Sequence, residues 1–68
     1  MISYKPLFVT LAEKGMKKTD LKARINISSR TLAKFSHQEP VSLSLLEKIC
    51  KELDCNIQDV VEFLPDEL

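Results

Sequence analysis

Side chains that can form hydrogen bonds cluster between positions 28 and 37 of this sequence. The members of the cluster are Ser28, Ser29, Arg30, Ala33, Lys34 and His37. An arginine can donate two hydrogen bonds to the edge of a guanine, hydroxyl groups can bond to several bases, and an alanine can contact a thymine methyl group. A second group, Lys17, Lys18 and Thr19, carries the cations and the hydroxyl that suit contacts to phosphates. These residues could recognise a nucleic acid if the fold places them on one surface.

Residue types that support catalysis or metal binding are scarce. Cys50 and Cys55 are the only cysteines and His37 is the only histidine, whereas a zinc site needs about four such ligands at characteristic spacings. The chain also has no pairing of a nucleophile with a base and no phosphate-binding loop. We therefore expect no metal, no cofactor and no enzymatic activity, and we interpret both cysteines as small buried hydrophobic residues.

The spacing of apolar residues around Asn26 decides how the hydrogen-bonding residues are presented. Leu21 and Ile25 are four residues apart, as on one face of a helix, but Ile27 follows only two residues later and breaks that period. Asparagine is the residue type other than glycine that best adopts a positive φ, and Ser28 can cap a new helix with its side-chain oxygen. The pattern predicts two helices separated by a tight turn at Asn26.

The rest of the chain also has helical periodicity. Pro6 favours the first turn of a helix, and Gly15 fits its C-terminal end. Either Ser42 or Ser44 could cap a fourth helix, and Asn56 could open a short fifth helix that continues through Val60 and Val61. We therefore predict an all-α, compact five-helix domain over residues 1–68, with the helix-turn-helix at about 17–36 and the recognition helix at about 29–36.

Charge is distributed unevenly along the chain, although the net charge is zero. Residues 1–37 carry eight basic and two acidic side chains, a net of +6, and residues 38–68 carry two basic and eight acidic ones, a net of −6. Such asymmetry suggests a polyanionic partner for the basic half. No apolar run reaches the roughly 18 residues that span a bilayer, and the first residues do not form a signal peptide, so we expect a cytoplasmic protein with no membrane partner.

The sequence resembles the Cro and lambda-repressor-like helix-turn-helix family, also called the xenobiotic-response-element family. The stretches that carry the resemblance are "MKKTDLKARINISSRTLAKF" and "VSLSLLEKICKELDCNIQDVVEF". The match is closest to short, single-domain bacterial or phage members. Two departures are Asn26, where the family usually has a glycine, and Lys17, where it usually has a polar residue that caps the helix.

The resemblance implies a sequence-specific regulator, expected to be a repressor, that binds double-stranded DNA as a homodimer. Its recognition helix would enter the major groove. An exposed apolar strip near the C-terminus could form the dimer seam, and its members would be Val60, Val61, Phe63 and Leu64. The alternative is a protein-interaction module on the same fold, such as an antitoxin-like or anti-regulator subunit whose acidic half contacts a basic partner.

Overall fold

Four α-helices make up most of the regular secondary structure in the computed structural model, which describes residues 1–66. Residues 67 and 68 of the predicted domain lie outside the described residues. The helices are α1 (Lys5–Glu13), α2 (Lys18–Ile25), α3 (Ser29–Ser36) and α4 (Leu43–Leu53). A 3-10 turn (Ile57–Asp59) follows, and the short strands β1 (Ile2–Ser3) and β2 (Glu62–Phe63) pair in an antiparallel ladder.

The predicted break at Asn26 is confirmed. Asn26 has φ 56° and ψ 52°, in the left-handed region, and its N–H donates to the carbonyl of Lys22. Ile27 donates to the same carbonyl at 3.2 Å, which completes the end of α2. Ser28 is extended, and its Oγ accepts a hydrogen bond from the N–H of Thr31 at 3.1 Å. The chain thus ends one helix and begins the next within three residues.

The other helix ends show how local sequence sets the boundaries. Gly15 has φ 67°, and Ser42 rather than Ser44 caps α4 by accepting from the N–H of Leu45 at 3.1 Å. Lys17 cannot accept a hydrogen bond through its ammonium group, but its own N–H donates to Oδ2 of Asp20 at 2.8 Å. The carboxylate of Asp20 also lies in the first turn of α2, where it interacts favourably with the helix dipole.

The prediction of a fifth helix through Val60 and Val61 is wrong. The helical segment is a single 3-10 turn, in which Asp59 accepts from the N–H of Asn56 at 3.0 Å. Beyond it the chain becomes extended, because the backbone of β2 finds hydrogen-bonding partners in β1 at the other end of the chain. The register pairs Ile2 with Phe63 and Ser3 with Glu62.

The core joins all four helices to the two terminal segments. Its fully or almost fully buried apolar residues are Tyr4, Leu7, Leu11, Leu21, Ile25, Phe35, Leu46, Ile49, Leu53 and Val60. Phe35 is the one residue of α3 in this set, and its ring packs edge-on against Tyr4 with the centroids 4.8 Å apart. The inner face of α3 is therefore anchored to the segment that precedes α1.

Tyr4 also holds the backbone that follows α3. Its N–H donates to Oε1 of Gln38 at 2.7 Å, and its hydroxyl donates to the carbonyl of Glu39 at 2.6 Å. Gln38 has φ 56°, a conformation that costs free energy for a residue with a side chain. Together with Phe35, these contacts fix where α3 ends.

Replacing Asn26 tests the turn. We expect Asn26→Gly to be neutral or mildly stabilising, whereas Asn26→Val should lower the free energy of unfolding by roughly 1–2 kcal/mol, because a β-branched residue resists a positive φ. Urea denaturation measures both changes. Asn26→Gly is the internal control, because it removes the same side chain without penalising a positive φ. Equal stability of Asn26→Val and wild type would contradict the assignment of the turn.

Replacing Tyr4 with phenylalanine tests the contact to Glu39. The variant keeps the ring but leaves the Glu39 carbonyl without its donor, so the free energy of unfolding should fall by about 1–3 kcal/mol near neutral pH. Burial raises the pKa of Tyr4, partly offset by the backbone of Val41. The unfolded chain therefore loses this proton first, and wild-type stability should decline as the pH rises through about 10. Thermal unfolding should show that the stability of Tyr4→Phe declines less than that of wild type over the same pH range. An equal decline in the two proteins would contradict the assignment.

Candidate nucleic-acid interface

The recognition helix predicted from the sequence corresponds to α3 and has two distinct faces. Phe35 is completely buried, and Leu32 is half-buried against the core. Ser29 and Arg30 are exposed at the start of the helix. Because the inner residues hold one side of α3 against the domain, the opposite side is available to a partner.

The predicted base-contact residues differ in exposure and in position along α3. Ser28, Ser29, Arg30 and His37 are exposed, and Ala33 and Lys34 are half-buried. Arg30 and Lys34 are four residues apart and therefore lie on the same side of the helix. Ser28, Ser29 and Arg30 lie at the N-terminal end of α3, which adjoins the turn. His37 lies at the opposite, C-terminal end of the helix.

The start of α2 lies beside the end of α3. Lys17, Lys18 and Thr19 are all exposed. The Nζ atom of Lys18 donates to Oγ of Ser36 at 3.2 Å and lies 5.1 Å from the ring centroid of Phe8. Lys18 therefore bridges α1, α2 and α3, a structural role that its sequence position did not indicate.

A shallow depression connects the two predicted groups at the turn. Its lining includes Thr19 from α2 together with Ser28 and Ser29 from the start of α3. It also includes Lys22, which is half-buried and which we did not select from the sequence. Lys22 lies four residues after Lys18, so helical spacing alone could have placed both cations on one side of α2.

Positive charge predominates on this part of the molecule. Residues 17–37 contain six basic side chains and one acidic side chain, Asp20. The carboxylate of Asp20 accepts a hydrogen bond at the start of its own helix. Arg24 is directed to α4, where its Nη1 lies 3.5 Å from Oε2 of Glu52. The remaining cations are Lys17, Lys18, Lys22, Arg30 and Lys34, and they leave a net positive field for an anionic partner.

The two thiols lie away from this surface. Cys50 and Cys55 are free and half-buried, and the N–H of Cys55 donates to the carbonyl of Cys50 at 3.0 Å. Burial raises the pKa of Cys55, and the nearby Cys50 thiol and Asp59 carboxylate act in the same direction. A raised pKa keeps this thiol protonated near neutral pH, and the protonated form is a poor nucleophile and a poor ligand.

Two further findings concern residues 1–66 as a whole. In that range, no three side chains of histidine, cysteine, aspartate or glutamate converge in a way that could hold a metal ion. None of the helices there is both long enough and apolar enough to cross a membrane.

The apolar strip expected near the C-terminus is only partly exposed. Val60 is fully buried and belongs to the core, so its side chain is not part of an exposed strip. Val61 is half-buried, whereas Phe63 and Leu64 are 81% and 42% exposed. Pairing of β2 with β1, rather than a helix, determines which of these side chains point outward.

The helix α2 ends at a left-handed residue. An extended serine then caps a second helix, α3, which has an exposed polar face. This arrangement defines a helix-turn-helix domain. A family model described as a Cro/C1-type HTH DNA-binding domain matches residues 7–66. The chain belongs to this family, as the resemblance in its sequence predicted.

Two similar proteins carry related descriptions. The uncharacterized HTH-type transcriptional regulator YozG of Bacillus subtilis (strain 168) is 38% identical over 61 residues, which cover 87% of this chain and 73% of that protein. The crystal structure of the transcriptional regulator VanUg, form II, superimposes with a TM-score of 0.92 at 38% identity. That alignment covers 96% of this chain and 87% of the other.

Removing the serine cap tests how the start of α3 is held. Ser28→Ala should lower the free energy of unfolding by about 1 kcal/mol, because the N–H of Thr31 loses its acceptor. Ser29→Ala is the matched control, since Ser29 is an exposed neighbour, and it should change stability by less than about 0.5 kcal/mol. Chemical denaturation compares the two variants, and equal losses would contradict the capping assignment.

Proposed function

We propose that this protein is a sequence-specific transcriptional regulator, and specifically a repressor, that binds double-stranded DNA as a homodimer. The observation that carries the proposal is the start of α3, where Ser28, Ser29 and Arg30 are exposed directly after the turn. In a helix-turn-helix, the N-terminal residues of the second helix contact base edges in the major groove. Repression requires only that the bound protein occupy its site on the DNA.

Each group of residues has a defined role in this proposal. Arg30 donates to a base edge, with guanine as the preferred partner, and Ser29 and Ala33 lie beside it on neighbouring bases. Lys17, Thr19 and Lys22 contact phosphates and set the position of the domain on the duplex. Lys18 contributes positive charge while it holds α2 to α3 through Ser36.

The electrostatics support a nucleic acid rather than a basic protein as the partner of this surface. Phosphate contacts by lysine and arginine release counterions, so the logarithm of the affinity should fall linearly with the logarithm of the salt concentration. The only acidic side chain in residues 17–37, Asp20, has an intramolecular hydrogen-bonding partner and adds little repulsion.

Selection of binding sites from random duplex DNA, followed by fluorescence anisotropy over a series of salt concentrations, tests the proposal. Arg30→Ala should weaken binding by roughly 1–3 kcal/mol and relax the preference at one base position. Lys17→Ala should weaken binding to all sequences alike and reduce the magnitude of the salt slope by about 1.

Lys48→Ala is the matched control for charge. Lys48 is an exposed cation on α4, outside the predicted interface, so its removal should leave both affinity and sequence preference nearly unchanged. If the double variant Arg30→Ala/Lys34→Ala bound DNA as tightly as the wild-type protein, the proposal would be overturned. Failure to enrich any DNA motif, together with stoichiometric capture of a basic protein, would favour the interaction module instead.

A further inference from the structure

The two cysteines of the chain meet where α4 ends. Asp54 has φ 50° and ψ 55°, in the left-handed region, and its N–H donates to the carbonyl of Cys50. The N–H of Cys55 donates to the same carbonyl at 3.0 Å. In this kind of helix end, the side chains at the positions of Cys50 and Cys55 frequently contact each other. The fold of the chain around Asp54 therefore brings the two thiols together.

The separation of the two cysteines suits a disulfide bond. The backbone hydrogen bond of 3.0 Å and standard bond lengths place the Cα atoms of Cys50 and Cys55 less than about 7 Å apart. Disulfides span Cα separations of about 4.4–6.8 Å. The two thiols also lie within hydrogen-bonding reach of each other. We propose that Cys50 and Cys55 form a reversible intramolecular disulfide by exchange with a low-molecular-weight disulfide.

The same backbone arrangement closes each of the other three helices with different side chains. The residues joined by the corresponding hydrogen bond are Leu11 with Met16, Lys22 with Ile27 and Lys34 with Glu39. The turn thus accepts apolar, mixed and charged pairs, so its geometry alone does not require two thiols at the end of α4. In residues 1–66 no group of three potential ligands converges, so the cysteine pair lacks the further ligands that a structural metal site needs. Disulfide exchange is the chemistry that two adjacent thiols can perform without a third group.

Cys55 is the thiol that a small disulfide meets first. Both thiols are half-buried, but Cys55 lines a shallow surface depression, and Cys50 is not among the residues that line it. The other residues of this depression are Thr10, Glu13, Lys14 and Asp59. Because reactivity depends on exposure as well as on ionisation, we assign the first attack to Cys55 and the second to Cys50.

The exchange transfers two electrons from the protein to the small disulfide. The thiolate of Cys55 attacks one sulfur of the small disulfide, which forms a mixed disulfide and releases the first small thiol. The thiolate of Cys50 then attacks Sγ of Cys55, which forms the bond between the two cysteines and releases the second small thiol. The protein thiols give up two protons, and the two small thiols take up two protons.

The rate of this exchange should rise with pH. The nucleophile is the thiolate, and burial raises the pKa of Cys55, with Cys50 of α4 and Asp59 of the 3-10 turn acting in the same direction. Lys14, which follows α1, lowers that pKa, and Glu13 is the remaining charged residue of the depression. Few thiolates are present near neutral pH, so the bond forms slowly there and is best measured at equilibrium.

The bond is a redox-sensitive clip at the end of α4. In a reducing environment protein disulfides are usually transient, so the pair stays as two thiols until small disulfides accumulate relative to small thiols. The closed clip joins the last turn of α4 to the segment that leads to the 3-10 turn, and it includes no residue of the candidate nucleic-acid interface. The inference is therefore independent of the proposed function.

Equilibration of the reduced full chain with mixtures of reduced and oxidised glutathione tests the inference. Mass spectrometry should show a monomer that has lost two hydrogen atoms, and trypsin, which cleaves after Lys51, should release Cys50 and Cys55 in two peptides that remain linked. The same mixtures in concentrated urea are the control, because the two cysteines are equally close in the sequence of the denatured chain. A bond that fits the native geometry stabilises the folded state, so the equilibrium constant for closure should be at least about tenfold larger in the folded chain.

Single replacements identify the thiol that reacts first. Cys50→Ser should accumulate the mixed disulfide at Cys55, because no second thiol displaces the bound glutathione. Cys55→Ser is the matched variant, and its mixed disulfide at Cys50 should form at least about tenfold more slowly, since Cys50 does not line the depression. Circular dichroism should show the wild-type helix content in both variants, and the closure constants are measured on the wild-type chain alone.

Three outcomes would overturn the inference. They are a wild-type protein that keeps two free thiols in oxidised glutathione, disulfides that only link two copies of the chain, and equal closure constants in the folded and the denatured chain. Equal reaction rates of the two single-cysteine variants would overturn the assignment of the first attack to Cys55. None of these measurements involves DNA, so a failure here leaves the proposed regulator untouched, and a protein without DNA affinity leaves the clip untouched.

Discussion

The contact between Phe35 and Tyr4 is the interaction on which the presentation of α3 depends. An eight-residue helix is too short to be stable in water by itself, so α3 needs tertiary contacts. Phe35 supplies its only fully buried side chain, and Tyr4 meets that ring edge-on while its backbone and hydroxyl hold the two residues after His37. Because Tyr4 directly follows β1, α3 is also connected to the ladder between the two ends of the chain.

This connection lets a small domain keep two surfaces apart. The turn at Asn26 and the cap at Ser28 leave the start of α3 exposed and polar, whereas the chain around β2 leaves Phe63 exposed and apolar. The first surface carries the positive charge of residues 17–37, and the second carries almost none. The two surfaces therefore have no side chain in common.

Local patterns were sufficient to predict several elements of the fold. The C-terminal end of α2, the left-handed turn at Asn26 and the caps at Gly15 and Ser28 follow from residue types whose conformational preferences act within a few positions. The fifth helix was predicted by the same reasoning and proved wrong. At Glu62 and Phe63 a strand partner some sixty residues away decides the conformation, and no local period reports on a contact at that separation.

The sequence by itself determined that the fold is mostly helical, where the turn lies and that positive charge is concentrated in residues 17–37. Backbone preferences and side-chain charges are properties of short segments, so they can be read before folding. Only the tertiary structure decided that Lys18 bridges three helices, that Lys22 joins Thr19 at the turn, and that Val60 is core while Phe63 is exposed. These outcomes depend on which distant segments meet, because burial and pairing are properties of the packed chain as a whole.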